Sequence, residues 1–101
     1  VVKNRPLFIP NSFSPNADGA NDFFTIYGGI SARSIRLLRI FDRWGELLFE
    51  GKDLPLGSEP LGWDGTFRGE PLPSGVYVYY AEVDFIDGEV LPVKGDVSLV
   101  R

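Results

Sequence analysis

The feature that most constrains the fold is the run V-Y-V-Y-Y-A-E-V-D-F at residues 76–85. Its β-branched and aromatic side chains are typical of a β-strand. Gly75 follows L-P-S, and this pattern predicts a turn directly before the strand. The pair Asp87 and Gly88 then favours a two-residue turn before residues 90–93. The sequence therefore predicts a β-hairpin.

Two tyrosines fix the register that we expect in this hairpin. The order G-V-Y-V-Y places Tyr77 where sandwich domains carry a tyrosine corner and places Tyr79 two residues on, facing the core. A strict two-residue turn would pair Tyr79 with Asp96 and bury the opposite face of the strand. We therefore predict a β-bulge within residues 92–95 that turns both tyrosines inward.

Frequent chain breakers limit the rest of the chain to short strands. The 101 residues include 12 glycines and 8 prolines, so regular segments are short and turns are common. Further strands are predicted at residues 7–9, 23–27, 35–41, 46–50 and 96–100, with an irregular, exposed loop at residues 51–62. The pattern predicts one domain over residues 1–101, an antiparallel immunoglobulin-like β-sandwich of about seven strands.

One segment leaves helix and strand open. Within residues 31–44, Leu37, Leu38, Phe41 and Trp44 follow a helical spacing, although residues 35–41 also form an apolar run rich enough for a strand. We favour the strand because Gly45 is placed to supply the positive φ of a hairpin turn. The alternative is an α+β fold with a helix at residues 31–44.

Composition excludes several classes of function. The chain has no histidine and no cysteine, which removes Ser-His-Asp and Cys-His catalysis, thiolate or imidazole zinc sites and disulfides. A net charge of -4 argues against a nucleic-acid surface. No apolar run is long enough to span a bilayer, and the N-terminus lacks a signal-peptide pattern. We predict that the chain is not an enzyme, binds no nucleic acid and does not insert into a membrane.

An Asn/Asp loop is a candidate calcium site. Asn16, Asp18, Asn21 and Asp22 bring four side-chain oxygen donors around a glycine, the ligand type that Ca²⁺ prefers. An EF-hand alignment fails because Thr25 stands where the bidentate glutamate is required. We favour an Asx-rich turn that satisfies its own backbone and keep calcium as the alternative.

Two tryptophans lie beside predicted turns. Arg39, Arg43 and Trp44 are candidates for a recognition patch at a hairpin tip, although we expect Trp44 to fold back over the end of the sandwich. Trp63 is expected to plug the edge between the sheets, while Asp64 accepts hydrogen bonds from the backbone of Gly65 and Thr66. We assign Trp63, Asp64 and Gly65 to structure.

Five motifs, in order, carry a family resemblance. They are F-S-P-N-A-D-G-A-N-D-F-F (13–24), I-F-D-R-W-G (40–45), W-D-G-T (63–66), L-P-S-G-V-Y-V-Y (72–79) and K-G-D-V-S-L-V-R (94–101). Together they resemble the gliding-motility-associated C-terminal domain, the type B sorting domain of type IX secretion. Two positions depart from the usual pattern, because Asp42 stands where the family commonly has Asn and Ala17 where it commonly has Gly.

The resemblance implies a sorting signal at the C-terminal end of a larger exported protein of the Bacteroidota. Such a domain passes through the periplasm and directs its parent across the outer membrane, by the type IX machinery, to the cell surface or the medium. We expect a monomer whose recognition residues are Asn16, Asp18, Asn21, Asp22, Arg43, Trp44, Lys94 and Arg101. The edge of the terminal strand is a further candidate, through β-augmentation. The alternative function is an adhesive module that binds carbohydrate through Trp44, Trp63 and the tyrosines.

Overall fold

The computed structural model describes residues 7–15, 22–29, 31–58 and 61–101. These residues form nine strands and no α-helix. The strands are β1 (Leu7–Phe8), β2 (Ser12–Phe13), β3 (Tyr27–Gly28), β4 (Ala32–Phe41), β5 (Leu47–Leu54), β6 (Thr66–Phe67), β7 (Glu70–Pro71), β8 (Gly75–Phe85) and β9 (Val90–Leu99). Among the described residues, no helix has the length and apolar character needed to cross a membrane.

The main layer is a five-stranded sheet in the order β2-β9-β8-β4-β5. Its neighbours are antiparallel except β2, which runs parallel to β9 and pairs through Ser12 with Ser98 and through Phe13 with Leu99. The pairs β1-β3 and β6-β7 form two small antiparallel sheets. The strands β4, β8 and β9 therefore provide the frame on which the rest packs.

The core lies between the inner face of the main sheet and a second layer of mostly irregular chain. Alternate residues of β8 are buried, as period-two strand geometry requires: Tyr77, Tyr79, Ala81, Val83 and Phe85. Phe24 and Trp63, joined by an isolated antiparallel bridge, cover them from the other layer. The ring of Phe24 lies 5.3 Å from that of Tyr79, and the ring of Trp63 lies 5.4 Å from that of Tyr77. The β-sandwich is confirmed, with nine strands in the described residues rather than about seven.

The segment that left helix and strand open is strand β4. Its buried residues are Ile35, Leu38 and Ile40, and the spacing of three between the first two comes from a register shift between Ile35 and Leu37. A β-bulge adds one residue to the period of two. The helical spacing of Leu37, Leu38, Phe41 and Trp44 does not mark a buried face, because Leu38 alone of the four is buried.

The β8-β9 hairpin has the predicted strands but a different turn. Tyr77 pairs with Val97 and Tyr79 with Gly95, in a ladder without interruption from Gly75 to Asp84. The predicted bulge at residues 92–95 is therefore wrong. The extra residue lies in the turn instead, where the Phe85 amide donates to the Glu89 carbonyl (2.9 Å) and Gly88 has a φ of 87°. This three-residue loop turns both tyrosines inward.

Three boundaries also differ from the sequence-based expectation. The strands expected at residues 90–93 and 96–100 are one strand, β9, and the loop expected from residue 51 begins only after Leu54. The expected strand at residues 23–27 is reduced to the Phe24 bridge and the start of β3. Strand β9 pairs with β8, and strand β5 pairs with β4. This backbone pairing extends β9 and β5 through residues that have low strand propensity.

Candidate functional site

The turn between β4 and β5 is held by the side chain of Asp42. Its Oδ1 accepts hydrogen bonds from the Trp44 amide (2.8 Å) and the Glu46 amide (2.9 Å). Gly45 has a φ of 87°, as the hairpin prediction requires. A carboxylate oxygen and an Asn carbonyl oxygen can both accept these bonds. The departure from Asn at this position therefore leaves the turn intact.

The turn projects Trp44 into solvent. Its side chain is 90% exposed, so the expectation that it folds back over the sandwich is wrong. Arg43 beside it is also exposed. Arg39 does not join them, because its Nε donates to Glu50 Oε2 (2.7 Å) on the neighbouring strand. The tip therefore presents an indole and one adjacent guanidinium.

Trp63 has the structural environment expected for it. The side chain is fully buried, its Nε1 donates to the Thr66 carbonyl (3.0 Å), and its ring lies 5.3 Å from that of Phe13. Asp64 Oδ1 accepts bonds from the Thr66 amide (3.1 Å) and hydroxyl (2.7 Å). The Gly65 amide is not among these donors. The side chain of Trp63 is therefore inaccessible to a ligand in this fold.

Tyr77 and Tyr79 are also buried. The Tyr77 hydroxyl donates to the Pro73 carbonyl (2.7 Å), four residues earlier, which is the geometry of a tyrosine corner. Burial raises the pKa of both phenols above 10.0. Of the residues named for a carbohydrate-binding alternative, Trp44 alone is exposed.

A shallow groove of about 270 Å³ runs between the hairpin tip and the segment that leads into β8. One wall is formed by the β4-β5 turn, with Asp42, Arg43, Trp44 and Glu46. The segment before β8 and its start supply further lining residues, Phe67, Leu72, Pro73, Ser74, Gly75 and Val76, and the buried residues Leu48 and Tyr77 also line the groove. We call the groove and the residues that line it the motif end, because two of the five sequence motifs, 40–45 and 72–79, meet here.

Arg101 also lies at the motif end, but as a structural contact. Its Nε donates to the Leu72 carbonyl (2.6 Å), its guanidinium NH2 to the Gly65 carbonyl (3.0 Å) and its amide to Ser74 Oγ (3.0 Å). The resemblance predicts a recognition role for Arg101, and the pattern K-G-x-V-x-L-x-R gives no indication of these contacts. The sequence analysis did not single out Asp42 for the site, although its Asp-x-Trp-Gly spacing suits a side chain that caps its own turn.

Lys94 lies away from the motif end. It is exposed on β9 opposite Tyr80. The end of β9 is already paired, because the Ser98 and Val100 amides donate to the carbonyls of Asn11 and Phe13 (both 2.9 Å). By alternation, Pro92, Lys94 and Asp96 direct their backbone groups to the rest of this edge, where no strand of the described residues pairs with β9. A proline and charged side chains are features that protect sheet edges from unwanted pairing.

Most of the Asn/Asp loop lies outside the described residues. This part of the loop includes Asn16, Asp18 and Asn21. Asp22 is half-buried. Pro15 leads into this loop beside Gly65, since a Cβ placed on Gly65 would lie 3.2 Å from Pro15 Cγ. The described part of the chain contains no cluster of three or more acidic, His or Cys side chains suited to a metal ion. Calcium binding stays a prediction.

Comparison with known proteins identifies the family. The sequence model of the CHU_C type IX secretion signal domain matches residues 7–97. A search of the curated proteins gave no match. Among solved structures, CopC from Methylosinus trichosporium OB3b has a TM-score of 0.61 at 17% identity, covering 95% of this chain and 93% of that chain. That likeness concerns the fold alone.

The family match runs from β1 into β9 and includes the hairpin tip and the groove, and it agrees with the resemblance carried by the motifs. Type IX secretion signal domains are sorting modules and not a catalytic family. The chain belongs to the CHU_C type IX secretion signal domain family.

Proposed function

We propose that this domain directs its parent protein through the type IX machinery, across the outer membrane, to the cell surface or the medium. The family supports a sorting role, and the single observation that carries the site is the side chain of Trp44, 90% exposed on a tightly hydrogen-bonded turn. In this proposal the type IX machinery recognises the motif end as a folded surface.

The exposed indole supports a binding role because leaving it in solvent lowers the stability that the fold could otherwise gain. A fully exposed tryptophan gives up hydrophobic stabilisation that the same side chain would gain by burial. Tryptophan and arginine are the residue types most enriched at the energetic centres of protein interfaces. Arg43 and Trp44 lie side by side at the rim of the groove, so a partner that covers the groove would contact both.

A folded surface is favoured over a linear peptide because the groove is discontinuous in sequence. Asp42 and Ser74, which both line the groove, are separated by more than thirty residues, and only the completed sandwich brings them together. Recognition would then require that the domain folds before it meets the machinery. The domain would act at the periplasmic side, as part of a longer parent protein.

The proposal is tested by fusing residues 1–101 behind a signal peptide and a fluorescent protein in a type IX-competent host. We expect Arg43→Ala and Trp44→Ala to retain the fluorescent cargo inside the cell. Trp44→Ala should change the free energy of unfolding by less than about 0.5 kcal/mol, because exposed side chains contribute little to stability. Surface fluorescence and thermal melts of the purified domains provide the two measurements.

Ile86→Ala is the matched control. Ile86 is a large apolar side chain, 67% exposed, in the β8-β9 turn at the opposite end of the sheet. Its variant should be exported like the parent chain. Export of the Trp44 and Arg43 variants at the parent level would show that the motif end is not the recognition surface.

A further inference from the structure

The side chain of Arg101 closes the base of a small hairpin. Residues 65–74 contain β6 and β7, with the Leu72 amide donating to the Gly65 carbonyl (2.9 Å) where the two arms meet. Arg101 donates to both carbonyls of these base residues, Gly65 and Leu72. One planar guanidinium therefore joins the two arms of the hairpin to each other and to the end of β9.

The hairpin is short, although its residues Phe67 and Leu72 pack against the hydrophobic core. Its strands have two residues each, and the stretch from Arg68 to Pro71 is exposed. An isolated two-stranded hairpin is marginal in water, so its position depends on contacts with the rest of the domain. Those contacts include Trp63 Nε1 to the Thr66 carbonyl (3.0 Å) and the bonds from Arg101.

The same hairpin supplies one wall of the groove. Phe67, Leu72 and Ser74 line the groove together with Trp44, and the Arg101 amide donates to the Ser74 hydroxyl (3.0 Å). The Tyr77 hydroxyl holds the intervening Pro73 from the inside. The guanidinium itself is not among the groups that line the groove.

We propose that Arg101 is a positioning residue for partner recognition: it fixes the 65–74 hairpin as a wall of the groove and does not itself bind the partner. This inference rests on the proposed function of the motif end. It replaces our sequence-based expectation that Arg101 contacts the machinery. It also assigns the hairpin a role, since its order decides the width of the groove that faces Trp44.

The test compares Arg101→Ala and Arg101→Lys with the parent chain. A lysine keeps the charge but cannot present the guanidinium fork to two carbonyls. We expect both variants to exchange the amide hydrogens of residues 65–74 about tenfold faster, the order expected when a charged hydrogen bond is lost. Exchange in β4 and β8 should stay unchanged, and both variants should lose export of the fluorescent cargo.

Two controls separate positioning from charge and from general stability. Arg36→Ala removes an exposed positive charge from β4, and Ile35→Val weakens the core mildly at the end of β4 remote from the groove. Both should be exported. Export of Arg101→Lys but not Arg101→Ala would overturn the inference, since a retained charge would then suffice. Unchanged exchange in residues 65–74 of Arg101→Ala would overturn it too.

The Trp44→Ala variant separates this inference from the proposed function. Loss of export in Trp44→Ala, with normal export of an Arg101→Ala chain whose hairpin is loosened, would overturn the positioning role alone. Normal export of Trp44→Ala would overturn the proposal that the motif end is the recognition surface.

Discussion

At the scale of single residues, the two tryptophans have opposite environments. Trp63 is fully buried and satisfied by the Thr66 carbonyl, whereas Trp44 is 90% exposed. Both are followed closely by a turn glycine, so local sequence could not separate them. The difference comes from the fold: Trp63 forms a bridge with Phe24 in the second layer, while Asp42 holds Trp44 on a turn that leaves its side chain exposed.

The buried tyrosines predict how stability depends on alkaline pH. Burial disfavours the phenolate and raises the pKa of Tyr77 and Tyr79 above 10.0. The folded state therefore binds the phenolic protons more tightly than the unfolded state. This contribution to stability is fully present below about pH 10 and is lost as the pH rises through the raised folded pKa values.

Phenylalanine variants measure this effect. Tyr77→Phe should cost about 1–2 kcal/mol at pH 7, because the bond to the Pro73 carbonyl (2.7 Å) is lost. The double variant with Tyr79→Phe should show a smaller fall in melting temperature between pH 9 and 11 than the parent. Equal alkaline falls in parent and double variant would contradict the assignment.

At the scale of elements, β9 shows what the sequence could and could not indicate. Its apolar positions predicted strands on either side of Gly95, but its continuity depends on β8, which pairs with it along its whole length. The close contact of Gly95 with Tyr79 is a long-range feature. A Cβ on Gly95 would lie 2.9 Å from the Tyr79 hydroxyl oxygen and 3.1 Å from its ring. Gly95 therefore makes room for the inward tyrosine.

A pair of glycine variants tests this packing. Gly95→Ala should destabilise the domain by roughly 1–3 kcal/mol, since the ring of Tyr79 must move against Phe24. Gly75→Ala, at the start of β8, meets no atom within 4 Å and should be neutral or slightly stabilising. Urea unfolding of both variants makes the comparison. Equal stability of the two would show that Tyr79 does not depend on the glycine.

At the scale of the whole molecule, the motifs are separate in sequence and adjacent in space. Fold class, the central hairpins and the family could be predicted from strand patterns, turn residues and motif order. The contacts of Arg101 could not, because its partners Leu72 and Gly65 lie 29 and 36 residues away. The short strands β2, β6 and β7 could not either, since two residues carry no period.

The Asn/Asp loop adds a prediction that concerns the stability of the whole domain. Pro15 leads into it beside Gly65, close to the motif end, and its candidate ligands are Asn16, Asp18, Asn21 and Asp22. If these side chains hold Ca²⁺ only in the folded state, a hundredfold excess of metal over Kd stabilises the fold by about 2.7 kcal/mol. The melting temperature would then rise with calcium.

Thermal unfolding in EDTA and in millimolar CaCl₂ measures that linkage, with MgCl₂ as the control for ionic strength. We favour an Asx-rich turn, so we expect the three melts of the parent to coincide, because hydrogen bonds from the loop to its own backbone need no ion. The Asp18→Ala variant should then melt at a temperature that is equally indifferent to calcium. A calcium-specific rise in the parent that disappears in Asp18→Ala would contradict the Asx-turn interpretation. It would instead show that the folded state of the domain binds calcium through this loop.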